Sequence, residues 1–277
     1  MMHSIKFHLI PSANIDIAWQ QLEDAGCQLL FSMENEESDK QIVGYLPSNL
    51  SAKKLISMHP YISTIEDISL EPIDWEAQWK LNGNHYSEGF IHINLHDYSE
   101  WVSDRWPQIL RLKPGPGFGD LSHPTTRLVL KLMGDIVRDQ HVLDVGCGSG
   151  ILSFAALAMG ARSVTGIDID EDALEHSRTN SQFNGMENVI DFLIPQAYIQ
   201  KDNLQAGVIL MNMIQSEQVS AWHNLEAIHP KVCFAVTSGI LAEAKESYLN
   251  QCHHWGWHLL KTAHEEGWEG YIFKMSF

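Results

Sequence analysis

The chain predicts an α/β protein, in which a mostly parallel, doubly wound sheet follows a small α+β domain. Three observations carry this. Val142-Leu143-Asp144-Val145 reads as a buried strand that runs into a glycine turn, Gly146-Cys147-Gly148-Ser149-Gly150. A second strand, Val164-Thr165-Gly166-Ile167, closes on Asp168, 22 residues beyond Gly146. That spacing suits a carboxylate accepting hydrogen bonds from a ribose at the carboxyl edge of a parallel sheet. From His141 onward, strand and helix patterns alternate.

Residues 1–68 have their own pattern. Ile5, Phe7 and Leu9 alternate as a half-buried strand, and Asn14 can cap a helix carrying Ile17, Ala18 and Leu22. Cys27 to Phe31 is a second strand, the acidic Met33 to Lys40 a turn, and Ile42 to Leu46 a third strand. Ser48 can cap a helix carrying Leu50, Leu55, Ile56 and Met58, and Tyr61 to Ile65 is expected to form the fourth strand. The order βαββαβ is that of a ferredoxin-like sandwich.

Residues 69–110 read as a Trp-rich bridge: Trp75, Trp79, Trp101 and Trp106 are four of the nine tryptophans. Asp74 can cap a short helix there, and large aromatics in a connector imply packing on both neighbours rather than a loose linker. Lys113 to Gly119 is a breaker run, followed by a helix with Leu128, Leu132 and Ile136 on one face. The catalytic unit, residues 111–277, then reads as strand His141–Val145, helix Leu152–Met159, strand Ser163–Ile167, helix Asp172–Asn184 and strand Val189–Ile194. Strand Ala206–Met211, a helix around Val219–Ile228, strand Lys231–Thr237 and a helix opened by Gly239 follow. Trp257–His264 and Trp268–Met275 form a terminal hairpin.

Bulk properties narrow the function. The net charge is −17. Direct nucleic-acid binding, which needs positive surface to displace counterions, is disfavoured, while cationic partners are attracted. No apolar stretch reaches the ~18 residues of a membrane span, and the N-terminus lacks signal-peptide form. Cys27, Cys147, Cys233 and Cys252 have no metal-type spacing and read as reduced thiols of a cytoplasmic protein. His253, His254 and His258 cluster, but Trp255-Gly256-Trp257 breaks the helix that would align them, so no metal site is expected.

The glycine pattern selects among nucleotides. A dinucleotide fingerprint has glycines at positions one, three and six, with a pyrophosphate on the helix N-terminus. Here they are Gly146, Gly148 and Gly150, with Ile151 in sixth place. The turn resembles the G-x-G-x-G loop of S-adenosylmethionine-dependent methyltransferases with a Rossmann-like sheet, whose cofactor has no phosphate. A wider set of motifs accompanies the turn and Asp144: Asp74-Trp75-Glu76, Pro116-Gly117-Phe118-Gly119, His123-Pro124-Thr125-Thr126 and Gly166-Ile167-Asp168-Ile169-Asp170, with Asn184-Gly185, Asn212 and Ser238-Gly239-Ile240-Leu241. On these the chain resembles the bacterial ribosomal-protein methyltransferases that modify the large-subunit stalk-base protein. The first 70 residues match in predicted architecture only.

The resemblance implies a ferredoxin-like domain that grips a substrate protein and a larger domain that methylates lysine side chains and an N-terminal amine. S-adenosylmethionine is the implied methyl donor and S-adenosylhomocysteine the product. Thr126 then contacts the cofactor, Gly146 lies against its methionine part, Asp168 holds the ribose and Asn212 sits near the methyl group. With Asp144, Gly148 and Gly150 these form the expected binding set, and Asn212 is the one expected catalytic residue. His123 and Glu217 are candidate bases by position, each with a structural alternative. Cys147 reads as a small filler. The segment Phe118-Gly119-Asp120-Leu121-Ser122 departs from the family's Phe-Gly-Thr-Gly-Thr; Leu121 in place of a glycine is expected to stiffen the loop. The expected partner is a basic ribosomal protein, and the expected state a monomer. Two other readings stay open: a methyltransferase for another protein or a small molecule, and a non-catalytic binding module.

Overall fold

A computed structural model describes residues 3–34, 40–46, 50–68, 85–119, 121–199 and 206–275. The chain divides into two compact units, residues 1–73 and 74–277. No described helix is long and apolar enough to cross a membrane.

The first unit contains β1 (His3–Leu9), α1 (Ile15–Asp24), β2 (Gln28–Glu34), β3 (Lys40–Leu46), α2 (Ala52–Met58) and β4 (Ile62–Asp67). The strands form an antiparallel sheet in the order β2-β3-β1-β4. Period-two alternation turns Ile5, Phe7 and Leu9 to one face, where they pack with Ala18 and Leu22 of α1 and Leu55 of α2. Asn14 caps α1 by accepting from the Ile17 amide at 3.1 Å.

Two expectations here need correction. The cap of α2 is Ser51, whose Oγ accepts from the Lys54 amide at 3.3 Å; Ser48 lies outside the described residues. Starting there, the short helix buries only Leu55 and leaves Ile56 and Met58 exposed. Strand β2 continues into the expected acidic turn, because pairing with β3 persists to Glu34 opposite Lys40.

In the second unit, β5 (Tyr86–Ser87), β6 (Phe90–Asn94) and β7 (Ile109–Leu112) make a small sheet. Ile91, Ile93, Leu110 and Leu112 of that sheet lie in the same core as Leu157 and Val142. The expected helix at Asp74, with Trp75 and Trp79, lies outside the described residues. Trp101 carries Arg138 over its ring at 4.5 Å.

Next come α3 (Pro124–Met133), β8 (His141–Val145), α4 (Ile151–Ala158), β9 (Ser163–Ile167), α5 (Glu171–Phe183), β10 (Ile190–Leu193) and α6 (Pro195–Ile199). They are followed by β11 (Val208–Asn212), α7 (Gln215–Asn224), β12 (Phe234–Leu241), α8 (Lys245–His254), β13 (Trp257–Glu265) and β14 (Trp268–Met275). Among the described residues they build a seven-stranded sheet in the order β10-β9-β8-β11-β12-β14-β13, parallel from β10 through β12 and antiparallel in the terminal hairpin.

Alternation along the central strands divides the interior into two cores. Val142, Val208 and Leu210 face one, Leu143, Val145, Ile209 and Met211 the other. Strand order reverses at β8, with β9 and β10 added on one side and β11 and β12 on the other, all parallel, which makes the carboxyl ends of β8 and β11 the switch point where open α/β sheets take ligands.

Other boundaries differ from expectation. Helix α3 stops at Met133, before Ile136. Helix α7 begins at Gln215, and a 3-10 turn, Glu226–Lys231, replaces its expected second half. Gly239 does not open a helix. It lies inside β12, at a register shift against β14 between Thr237 and Ile240, and the helix begins only at Lys245.

Candidate active site

The site grows from β8. The glycine turn after it folds back on β9: the Gly146 and Cys147 amides both donate to the Ile167 carbonyl, at 2.8 and 3.1 Å. Gly150, in the left-handed region at φ 85°, is the N-cap of α4, all eight residues of which are buried. Gly148 also has positive φ, and a Cβ there would strike the Phe118 carbonyl, so no side chain fits. Its amide donates to Asp168 Oδ2 at 3.0 Å. Asp168 Oδ1 accepts from the Asp170 amide at 3.0 Å. Each carboxylate oxygen keeps lone-pair capacity for a hydroxyl. Burial raises the Asp168 pKa, and the two amide bonds pull against that rise.

Asp144, on β8, is fully buried. Its Oδ2 accepts from Ser153 Oγ of α4 at 2.7 Å, while Oδ1 has no partner. Burial raises its pKa to about 7, partly offset by the Ser153 bond. Asn212 ends β11, beyond Met211, which pairs with Val145 of β8. Its Nδ2 donates to Thr126 Oγ1 in the first turn of α3 at 3.3 Å. Its Oδ1 is buried without a partner.

Two orphaned acceptors at adjoining strand ends are informative. Each costs about 1–3 kcal/mol when a protein closes over it unpaired, and each has acceptor capacity left for a donor brought from outside. Amino groups and sugar hydroxyls are such donors, and an amino-acid nucleoside such as S-adenosylmethionine carries both. The residues present therefore fit that cofactor.

Of the other candidates, His123 caps α3. The Thr125 amide donates to its Nδ1 at 3.4 Å, and an amide can only donate, so the ring is neutral. Burial and the nearby Arg127 guanidinium lower its pKa to about 4. The Cys147 thiol is buried and pushed well above its ordinary pKa by burial and by Asp144 and Asp168. Glu217 lies in the first turn of α7 and is exposed, with local desolvation raising its pKa.

The structure also shows a clamp that no local signal marked. His176 and Asn180 of α5 and its C-cap Asn184 recur every four residues and so share one face. Asn184 holds both the amide and carbonyl of Arg111, at 3.0 and 2.8 Å. Asn180 accepts from the Lys113 amide at 2.8 Å and donates to the Ser149 carbonyl at 3.0 Å. His176 Nδ1 accepts from the Gly117 amide at 3.1 Å, and Nε2 donates to the Lys113 carbonyl at 2.7 Å. The clamped segment reaches the glycine turn, where Ser149 donates to the Phe118 carbonyl through its amide at 2.7 Å and to the Gly119 carbonyl through Oγ at 3.0 Å. Leu121 is buried, and Arg127 holds its carbonyl at 2.7 Å.

Comparison with known proteins agrees with this geometry. The family model described as ribosomal protein L11 methyltransferase (PrmA) matches residues 10–276. The ribosomal protein L11 methyltransferase of Shewanella sediminis is 31% identical over 233 residues, covering 77% of this chain and 73% of its own. That of Shewanella piezotolerans is 32% identical over 237 residues, covering 82% and 72%. Among solved structures, a ribosomal protein L11 methylase from Lactobacillus delbrueckii subsp. bulgaricus superposes with a TM-score of 0.52 at 23% identity, covering 67% of this chain and 99% of that one. That likeness shows the shared α/β methyltransferase fold with its mostly parallel central sheet. With nearly its whole length matched, the chain belongs to the ribosomal protein L11 methyltransferase (PrmA) family.

Proposed function

We propose that this protein transfers a methyl group from S-adenosylmethionine to amine nitrogens of ribosomal protein L11, on lysine side chains and the N-terminal amine. The observation that carries the proposal is the buried, unpartnered Oδ1 of Asn212 at the switch point. S-adenosylmethionine supplies an electrophilic methyl on a sulfonium centre. Asp168 would hold the ribose hydroxyls, Asp144 and the Gly146–Gly150 turn the amino-acid part, and Thr126 the orientation of Asn212.

The remaining work is to present a neutral, aligned amine. A lysine of pKa 10.4 must lose a proton at a cost of roughly 4.6 kcal/mol at pH 7. Loss of water on entering the buried crevice lowers that cost. Asn212 Oδ1 can accept an N–H of the neutral amine and direct its lone pair in line, which is where positioning accelerates a displacement. A carboxylate at this position would favour the ammonium instead. Asn212 is not a base, and no base is assigned.

The division of labour follows. Residues 1–68 act as a ferredoxin-like grip on the substrate protein, a reading supported by the strand order β2-β3-β1-β4. Residues 69–110 connect, and residues 111–277 carry the chemistry. The net charge of −17 suits a basic substrate. A ribosomal-protein substrate sets the reaction in the cytoplasm, and a single chain contains every residue assigned above, so we read the working unit as a monomer. The test is incubation of the full chain with labelled S-adenosylmethionine and ribosomal proteins from a strain lacking the enzyme, read by mass spectrometry. Label on L11 amines is expected. Label confined to another acceptor would overturn the substrate, and absence of cofactor binding in calorimetry would overturn the enzyme.

A further inference from the structure

A buried polar network lies directly behind Asn212. Gln218, on α7, is fully buried. Its Nε2 donates to the Met213 carbonyl at 2.7 Å and to the Ser238 carbonyl at 2.9 Å. Met213 follows Asn212, and Ser238 is the residue paired with Asn212 across the β11–β12 ladder. One side-chain amide thus ties the carboxyl end of β11 to the middle of β12, beside Asn212.

The amide itself is held. Tyr248 of α8 hydrogen-bonds Gln218 Oε1 through its hydroxyl, which also lies 2.8 Å from Thr237 Oγ1. Tyr248 and Thr237 are both fully buried. The carbonyl partners fix the orientation of the amide. Carbonyls only accept, so both Gln218 N–H groups go to Met213 and Ser238. Gln218 Oε1 must then accept, so Tyr248 donates to it and Thr237 donates to Tyr248. A flipped amide would set Oε1 against two carbonyls, and the Cys252 thiol also meets the Tyr248 hydroxyl. Backbone packing closes the same point: Gly239 has φ 91°, and a Cβ there would strike the Met213 carbonyl. Ser238 Oγ is fastened to the Glu269 carbonyl at 2.9 Å.

We propose that Gln218, oriented by Tyr248, is a positioning residue for methyl transfer: it fixes the Asn212–Met213 turn at the register in which Asn212 meets the amine. This rests on the orienting role given to Asn212. A buried, fully satisfied network gives a rigid support, and small displacements of an orienting group cost large factors in rate.

The test uses the full chain with S-adenosylmethionine and L11. Gln218→Met keeps volume and removes both donors; Tyr248→Phe removes one oxygen and serves if the first variant folds poorly. Each is measured alone and in an Asn212→Ala background for kcat, KM and cofactor Kd, with amide hydrogen exchange across residues 212–215. Expected results are a kcat lowered about 10- to 100-fold by Gln218→Met and less by Tyr248→Phe, with cofactor Kd within about 3-fold. Exchange at residues 212–215 should speed up while β8 is unchanged. In the Asn212→Ala background neither substitution should lower kcat further, because the effect passes through Asn212. Equal fold losses in both backgrounds, or an unchanged kcat, would overturn the positioning role while Asn212 keeps its own. Full turnover by Asn212→Ala alone would overturn the orienting role, and this proposal with it.

Discussion

Replacing Asn212 with alanine separates function from stability, because the residue is poorly satisfied in the resting fold. The substitution removes one long hydrogen bond, Nδ2 to Thr126 Oγ1 at 3.3 Å, worth about 0.5–1.5 kcal/mol. It also removes an unpartnered buried oxygen whose burial costs about 1–3 kcal/mol. The two terms oppose each other, and their difference lies between about 1 kcal/mol of loss and 2 kcal/mol of gain, allowing for a small void. For a chain of this size that moves Tm by no more than ~8 °C, in the direction of higher stability if the orphan dominates. Turnover behaves differently. An interaction made at the reacting centre is worth about 2.7–4 kcal/mol in comparable sites, or 10²- to 10³-fold in kcat. The assay is S-adenosylhomocysteine production with L11, alongside calorimetric titration of the cofactor and a thermal melt. The expected pattern is a large loss of kcat, cofactor Kd within about threefold, and a Tm lowered by no more than about 4 °C or raised by up to about 8 °C. Parallel losses of kcat and cofactor affinity would refute the reasoning, since they would make Asn212 a cofactor-binding group rather than one that orients the amine.

Asp168→Ala is expected to raise the cofactor Kd about 100-fold, from two hydrogen bonds to a charged group at ~1.5 kcal/mol each; unchanged calorimetric binding would contradict the ribose assignment. Leu121→Gly removes a buried side chain at a point where Arg127 holds the carbonyl, so it should lower Tm and speed cofactor association and release several-fold. Identical stopped-flow rates would dismiss the stiffening role. His123, with its pKa lowered to about 4 in the fold against 6.5 unfolded, contributes stability that is complete above pH 6.5 and lost as pH falls toward 4. The loss is about 1.4 kcal/mol per pH unit within that window, and His176, also lowered by burial, acts in the same sense. Asp144, raised to about 7, acts oppositely, so the measurement is a difference. His123→Asn, which keeps a capping side chain, should flatten the acid-side slope in urea denaturation between pH 6.5 and 4, and an unaltered slope would contradict it.

The central unit of the larger domain was legible in the residues because its signals are local. An apolar run ending in Asp144, three glycines in positive φ and a strand closing on Asp168 each act within a few residues of themselves. The cap at Asn14 and the alternation of Ile5, Phe7 and Leu9 are of the same kind. Choices between neighbouring candidates were not legible. Ser48 and Ser51 are equivalent as caps until the helix has a core to face, and Gly239 suits a helix start or a strand bulge equally well. It takes β14 and the Met213 carbonyl to make it a bulge.

Local signals thus pointed to the strand ends at Asp144, Gly146, Gly148, Asp168 and Asn212 as the candidate site, and the family resemblance added Thr126. Backbone geometry and strand-end position are properties of short segments, so they can be read in order along the sequence. Only the folded chain decided which polar atoms are satisfied. Asn212 Oδ1 is left unpaired, Gln218 comes to rest between Met213 and Ser238, and α5 clamps Arg111 to Gly117. Hydrogen-bond satisfaction depends on burial and on partners 5 to 86 residues away. No motif in the sequence marked these particular partners, because only packing brings them together.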